Sequence, residues 1–141
     1  MPASAAQSQA ISETATAGVY SITLKVLPAE SFSAPKAAMV RDGGAEPNLL
    51  NGPAHPNHHL VAFVTKGGKP VEDARVQISY RRLAPGTGAW TELPVVRMHA
   101  AGQGLETTHY GNNVRLSPGS YEVRVTVDGS GPATIRFSLP G

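Results

Sequence analysis

Residues 117–139 read SPGSYEVRVTVDGSGPATIRFSL. Tyr121, Val123, Val125 and Val127 alternate with Glu122, Arg124, Thr126 and Asp128. After the break Asp128-Gly129-Ser130-Gly131, Ala133, Ile135, Phe137 and Leu139 alternate with Thr134, Arg136 and Ser138. Successive side chains of a strand point to opposite faces, so this two-residue period marks two strands with one apolar and one polar face each.

The same pattern recurs upstream. Tyr20, Ile22, Leu24 and Val26 alternate with Ser21, Thr23 and Lys25, and Val76, Ile78 and Tyr80 alternate with Gln77, Ser79 and Arg81. Leu60-Val61-Ala62-Phe63-Val64 is apolar on both faces and reads as a central strand. Residues 89–97 and 106–116 are weaker strand candidates. Turn signals stand between these runs at Lys66-Gly67-Gly68-Lys69-Pro70, Ala84-Pro85-Gly86-Thr87-Gly88 and Ser117-Pro118-Gly119. About seven strands so punctuated predict an all-β chain, an antiparallel β-sandwich of immunoglobulin-like or cupredoxin-like type.

Two segments fall outside this pattern. Residues 1–17, MPASAAQSQAISETATA, are small and polar, and are expected to be a disordered N-terminal segment because nothing there offsets the ordering entropy. They read either as an ordinary N-terminal tail or, the leading expectation, as what remains of a cleavage region after removal of an export signal, from which a periplasmic or otherwise exported location is expected. Residues 18–141 then form a single domain, interrupted at 28–57 by a long irregular insertion carrying five prolines. Such a segment is functional or hides an element; lying across a sheet edge or forming an oligomer contact are both open to it.

Composition excludes several classes. Twelve Lys and Arg against ten Asp and Glu leave a net charge of +2, and Arg81-Arg82 is the longest basic cluster, so no nucleic-acid footprint is present. No run approaches the roughly 18 apolar residues of a membrane span. The absence of cysteine removes disulfides, thiolate sites and a blue-copper centre. No phosphate-cradling loop, serine-nucleophile motif or paired-carboxylate pattern appears, and the chain is not read as an enzyme.

What remains is a set of metal-ligand side chains. His55, His58 and His59 precede the central strand in AHPNHHLVAFV, and His99 and His109 flank MHAAGQGLETTHYG, which also holds Met98 and Glu106. Imidazole suits copper, iron and zinc, while a thioether favours Cu(I). Each residue also has a plainer reading. His55 and His58 suit a solvated loop beside Pro56 and Asn57, and Met98 suits a core. His109 suits a backbone hydrogen bond, and Tyr110 a tyrosine corner. Spacing alone does not bring His59, Met98 and His109 together.

The segments HHLVAF and MHAAGQGLETTHYGNNVRLSPGSYEVRV resemble the periplasmic iron-transport-associated metal-binding proteins of bacteria, over about residues 58–128. The most distinctive element is His109-Tyr110-Gly111-Asn112-Asn113-Val114. The resemblance implies an immunoglobulin-like or cupredoxin-like sandwich that forms a homodimer, binds copper and serves iron uptake beside a membrane permease. It assigns His59, Met98, Glu106 and His109 to the metal site, with His58 or His99 as substitutes for a missing ligand. Two departures stand out. Val61 occupies the position of the family's glutamate, which weakens the case for iron more than for copper. The eleven-position step from Met98 to His109 is also longer than the family's.

The leading expectation is therefore an exported metal-binding protein for copper, and secondarily iron, acting as a carrier or accessory to a metal-uptake system. In it a Gly-Asn-Asn turn would hold His109 at the sheet edge. The alternative is a non-catalytic interaction module with incidental histidines.

Overall fold

The computed structural model describes residues 11–28, 39–41, 57–100 and 108–140, all in strands and their connections. The strands are β1 (Ile11–Ala17), β2 (Tyr20–Pro28), β3 (Met39–Arg41), β4 (His58–Lys66), β5 (Lys69–Pro70), β6 (Val76–Ala84), β7 (Thr91–Leu93), β8 (Val96–Ala100), β9 (His109–Val114), β10 (Gly119–Val127) and β11 (Ser130–Leu139). A larger sheet has the order β1-β2-β4-β9-β8-β3, with β5 as a hairpin extension of β4; a smaller one runs β11-β10-β6-β7. Every pairing is antiparallel. The all-β sandwich read from the alternating runs is the fold observed.

The core forms where period-two patterning predicts. Ile22, Leu24 and Val26 from β2 and Leu60, Ala62 and Val64 from β4 meet Ile78 from β6, Val123, Val125 and Val127 from β10, and Ile135 and Phe137 from β11. Fully burying one such side chain contributes roughly 1.5–3 kcal/mol. The β10–β11 hairpin turns on Asp128 and Gly129, whose φ angles of 48° and 81° fit the right-handed twist of the strands. Asp128 also accepts the Arg75 N–H at 2.8 Å and the Tyr20 hydroxyl at 3.1 Å, joining the hairpin to both sheets.

The outward face of the small sheet has its own order. Glu122 accepts hydrogen bonds from Arg81 and Arg136, and the Arg81 and Arg124 guanidinium groups lie 4.7 Å and 3.5 Å from the centroid of Trp90. Oppositely charged neighbours across strands stabilise a sheet modestly.

Several expectations are corrected. The described residues hold eleven strands where about seven were read: β3 and β5 are two or three residues long and carry no period, β1 is polar, and the 89–97 candidate divides into β7 and β8. Residues 11–17 are not disordered: they pair along their whole length with β2, from Ile11 opposite Val26 to Ala17 opposite Tyr20. Their polar composition suits an edge strand with little to bury; residues 1–10 lie outside the described residues. Within the 28–57 insertion, Met39–Arg41 pairs with β8 at the far edge of the large sheet, and most of the remainder lies outside the described residues. Tyr121, rather than Tyr110, makes the corner bond, donating to the Ser117 carbonyl at 2.7 Å, whereas the Tyr110 hydroxyl donates to Val71 O at 2.8 Å.

Candidate metal centre

Strand β4 presents Leu60, Ala62 and Val64 to the sandwich core, so His59, Val61 and Phe63 point from the opposite face of the large sheet. On β9, Tyr110 and Val114 belong to the core, which puts His109, Gly111 and Asn113 on that same outer face. The pairings His59 with Asn113 and Val61 with Gly111 agree, since direct partners share a face. On β8, Val96 pairs with Gly111 and Met98 with His109. Register alone therefore gathers His59, His109 and Met98 on one face of three adjacent strands.

This outer face is as buried as the core. His59, Val61, Val96 and Met98 are 0% exposed and His109 is 1% exposed. Four positions of register separate His59 from His109, yet the rings lean toward each other until their centroids are 5.7 Å apart and their planes 89° apart. Phe63 stacks on the far side of His109 at 4.7 Å, and Lys25 Nζ lies 5.0 Å from the Phe63 centroid. His59 Nδ1 is 3.0 Å from Asn113 Oδ1. Both histidine Nε2 atoms are shut off from solvent.

Burial holds the His59 pKa down at about 4; the Asn113 hydrogen bond pulls it up and a charge on His109 pushes it lower still. The ring is thus neutral at neutral pH, the form that ligates a metal. A metal–imidazole bond of about 2.0 Å places each ring centroid roughly 3 Å from the ion, so two rings sharing one ion at a near-tetrahedral angle have centroids about 5–6 Å apart. The His59–His109 separation lies in that range. Met98, directly across from His109 on the same face, would add a thioether to the two imidazoles, and donors of these kinds could hold a soft or borderline metal ion.

By fold, this chain resembles FetP. The crystal structure is of the "as isolated" protein from uropathogenic E. coli strain F11, expressed recombinantly in the periplasm of E. coli. The two superpose with a TM-score of 0.56 at 17% identity, over 94% of this chain and 97% of that one. At that identity the likeness is one of fold. No family model and no curated relative matches the chain by sequence.

The other candidates separate from the group. His58 and His99 each adjoin a grouped residue in sequence, and for that reason face the other side of the sheet. His58 is half-buried, with Nδ1 2.8 Å from Asn57 Oδ1, and His99 points to the side of Arg97. Neither replaces a ligand of the His59 face. Glu106 and His55 lie outside the described residues. Val61 sits among the grouped side chains and offers them only apolar surface. Among the described residues no three His, Cys, Asp or Glu side chains form a metal shell; the grouping depends on the methionine.

The expected Gly-Asn-Asn turn is also corrected. Residues 109–114 are a buried strand in the interior of the large sheet, between β4 and β8, so His109 is not at an edge. Glycine is required at 111 by close approach: a Cβ there would collide with the Leu60 carbonyl oxygen and come within 2.7 Å of Val61 Cα. The asparagines tolerate burial because they are bonded. Asn112 Nδ2 donates to Pro94 O at 3.1 Å, Asn112 Oδ1 accepts the Asn113 N–H at 2.8 Å, and Asn113 faces His59. Asn113 was missed as a site residue. Its signal was the period of two from His109, which puts residue 113 on the histidine's face once the segment is taken as a strand.

Proposed function

We propose that this protein binds copper through His59, Met98 and His109 and serves as a carrier or accessory in metal uptake rather than as an enzyme. The observation that carries this reading is the convergence of two imidazoles and a thioether on one buried face, from three separate strands. Copper is favoured over iron because Val61 supplies no oxygen ligand among these residues, and Fe²⁺ prefers harder donors than a thioether. A site outside the cytoplasm accords with the fold likeness to FetP, a protein expressed recombinantly in the periplasm. Among the described residues no helix is long and apolar enough to cross a membrane. A membrane permease as recipient of the ion, and assembly as a homodimer, complete the reading.

Competition titration of chelator-treated protein with Cu(I) and Cu(II) tests it. The reading expects one copper per chain, lost in His109→Ala and retained in His58→Ala. Copper affinity unchanged by His109→Ala would leave the histidines as packing groups and favour a non-catalytic interaction module.

A further inference from the structure

His59 and Asn113 are direct partners on neighbouring interior strands, both buried, with Nδ1 and Oδ1 3.0 Å apart. An amide oxygen accepts hydrogen bonds and never donates them, so the proton of this bond is on His59 Nδ1. A neutral imidazole carries one N–H; with that proton on Nδ1, Nε2 holds a lone pair. The ring is consequently set to ligate from the nitrogen farther from its own backbone.

Asn113 is itself anchored. Its backbone N–H donates to Asn112 Oδ1 at 2.8 Å, and Asn112 Nδ2 donates to the Pro94 carbonyl at 3.1 Å, in the crossing between β7 and β8. A chain of three hydrogen bonds thus runs from the β7–β8 crossing through both asparagines to the His59 ring. Outer partners of this kind orient the ligating ring and fix its tautomer. We propose that Asn113 is a positioning residue that locks His59 as the Nδ1–H tautomer and makes Nε2 the donor atom for copper. The assignment of that donor role rests on the copper reading above; the lock itself does not.

The test begins on metal-free, ¹⁵N-labelled protein at pH 7.5, where long-range ¹H–¹⁵N correlation distinguishes a protonated from an unprotonated ring nitrogen. His59 is expected to show Nδ1 protonated and Nε2 bare. Asn113→Leu removes the acceptor and should populate the Nε2–H form, while Cu(I) affinity falls about 10–100-fold. Asn113→Asp keeps an acceptor in place and should retain both the Nδ1–H tautomer and most of the affinity, separating the lock from a general loss of packing. An Nε2–H ring in wild type overturns the lock even if copper binds. An unchanged tautomer in folded Asn113→Leu overturns the positioning role. An Nδ1–H ring in a wild type that takes no copper overturns the copper reading and the donor role of Nε2, and leaves the lock standing.

Discussion

Strand β4 has two faces that are equally dry and chemically opposite. Inward, Leu60, Ala62 and Val64 belong to a core of mostly aliphatic side chains, with Tyr110 across from Ala62, and apolar groups of similar volume are tolerated at these three positions. Outward, His59 and Phe63 flank Val61, and the surroundings are His109, Asn113 and Met98. Burying an imidazole costs free energy unless its nitrogens are partnered, so a histidine at 0% exposure is not what packing alone selects. The contrast teaches that burial by itself does not separate core from site. The hydrogen-bonding side chains of the outer face do.

The largest expected effects come from one substitution on each face. Leu24→Ala, in the core, should destabilise the fold by about 2–5 kcal/mol and leave copper affinity per folded molecule unchanged. His109→Ala also empties a buried position and so destabilises the fold, but unlike Leu24→Ala it should lower copper affinity per folded molecule, by more than the roughly 100-fold upper end for a supporting residue. Urea unfolding and competition titration on both variants give four readings. If copper affinity falls equally in the two, the faces are not separable and the contrast fails.

Acid should act on the outer face. In the unfolded chain His59 titrates near its ordinary 6.5, whereas in the fold it titrates at about 4. Between these values the unfolded chain takes up a proton that the folded chain refuses, so acid favours unfolding. Stability from this residue is complete above pH 6.5, declines through the window and levels below about 4. At about 1.4 kcal/mol per pH unit the full loss is roughly 3 kcal/mol. Urea midpoints at pH 7.5 and pH 4 should therefore separate more in wild type than in His59→Leu. An equal drop in both would show that His59 does not titrate across that window.

The first strand tests the other boundary, between ordered domain and tail. β1 pairs with β2 throughout and buries Ala17, with Ile11 and Ala15 packed against the core. Deleting residues 1–17 should cost about 1–3 kcal/mol, seen as several degrees in Tm. An unchanged Tm would return the segment to the unstructured tail its composition suggests.

What was legible followed from periodicity. β2, β6, β10 and β11 announce themselves because each has one wet face, and β4 because it has none. β9 did so only weakly, as part of the 106–116 candidate, since glycine and asparagine are the commonest turn residues and only the placement of β4 and Pro94 shows how this sequence is satisfied inside a sheet. β1 was hidden by the polar side chains an edge strand tolerates. The convergence of His59, Met98 and His109 needed the strand order, which no spacing reveals. The exclusion of His58 and His99 needed only the period of two: of adjacent strand residues one faces each way, so neither His58-His59 nor Met98-His99 supplies two ligands to one face.

The smallest effect on stability is expected at Met98, and there the two faces are hardest to tell apart. Met98 is 0% exposed and stands directly across from His109, so a packing role and a ligand role place it identically. Met98→Leu conserves volume and apolar character, and the fold should change by less than about 1.5 kcal/mol under either role. The thioether is what leucine lacks. As a ligand, sulfur favours Cu(I), so Cu(I) affinity should fall more than Cu(II) affinity in this variant. As a core atom, sulfur is silent toward both ions and their ratio stays constant. The ratio, measured by parallel competition titrations in wild type and Met98→Leu, is independent of any small common loss from repacking. A constant ratio would move Met98 from the donor set to the packing of the outer face, and leave a two-histidine centre on β4 and β9.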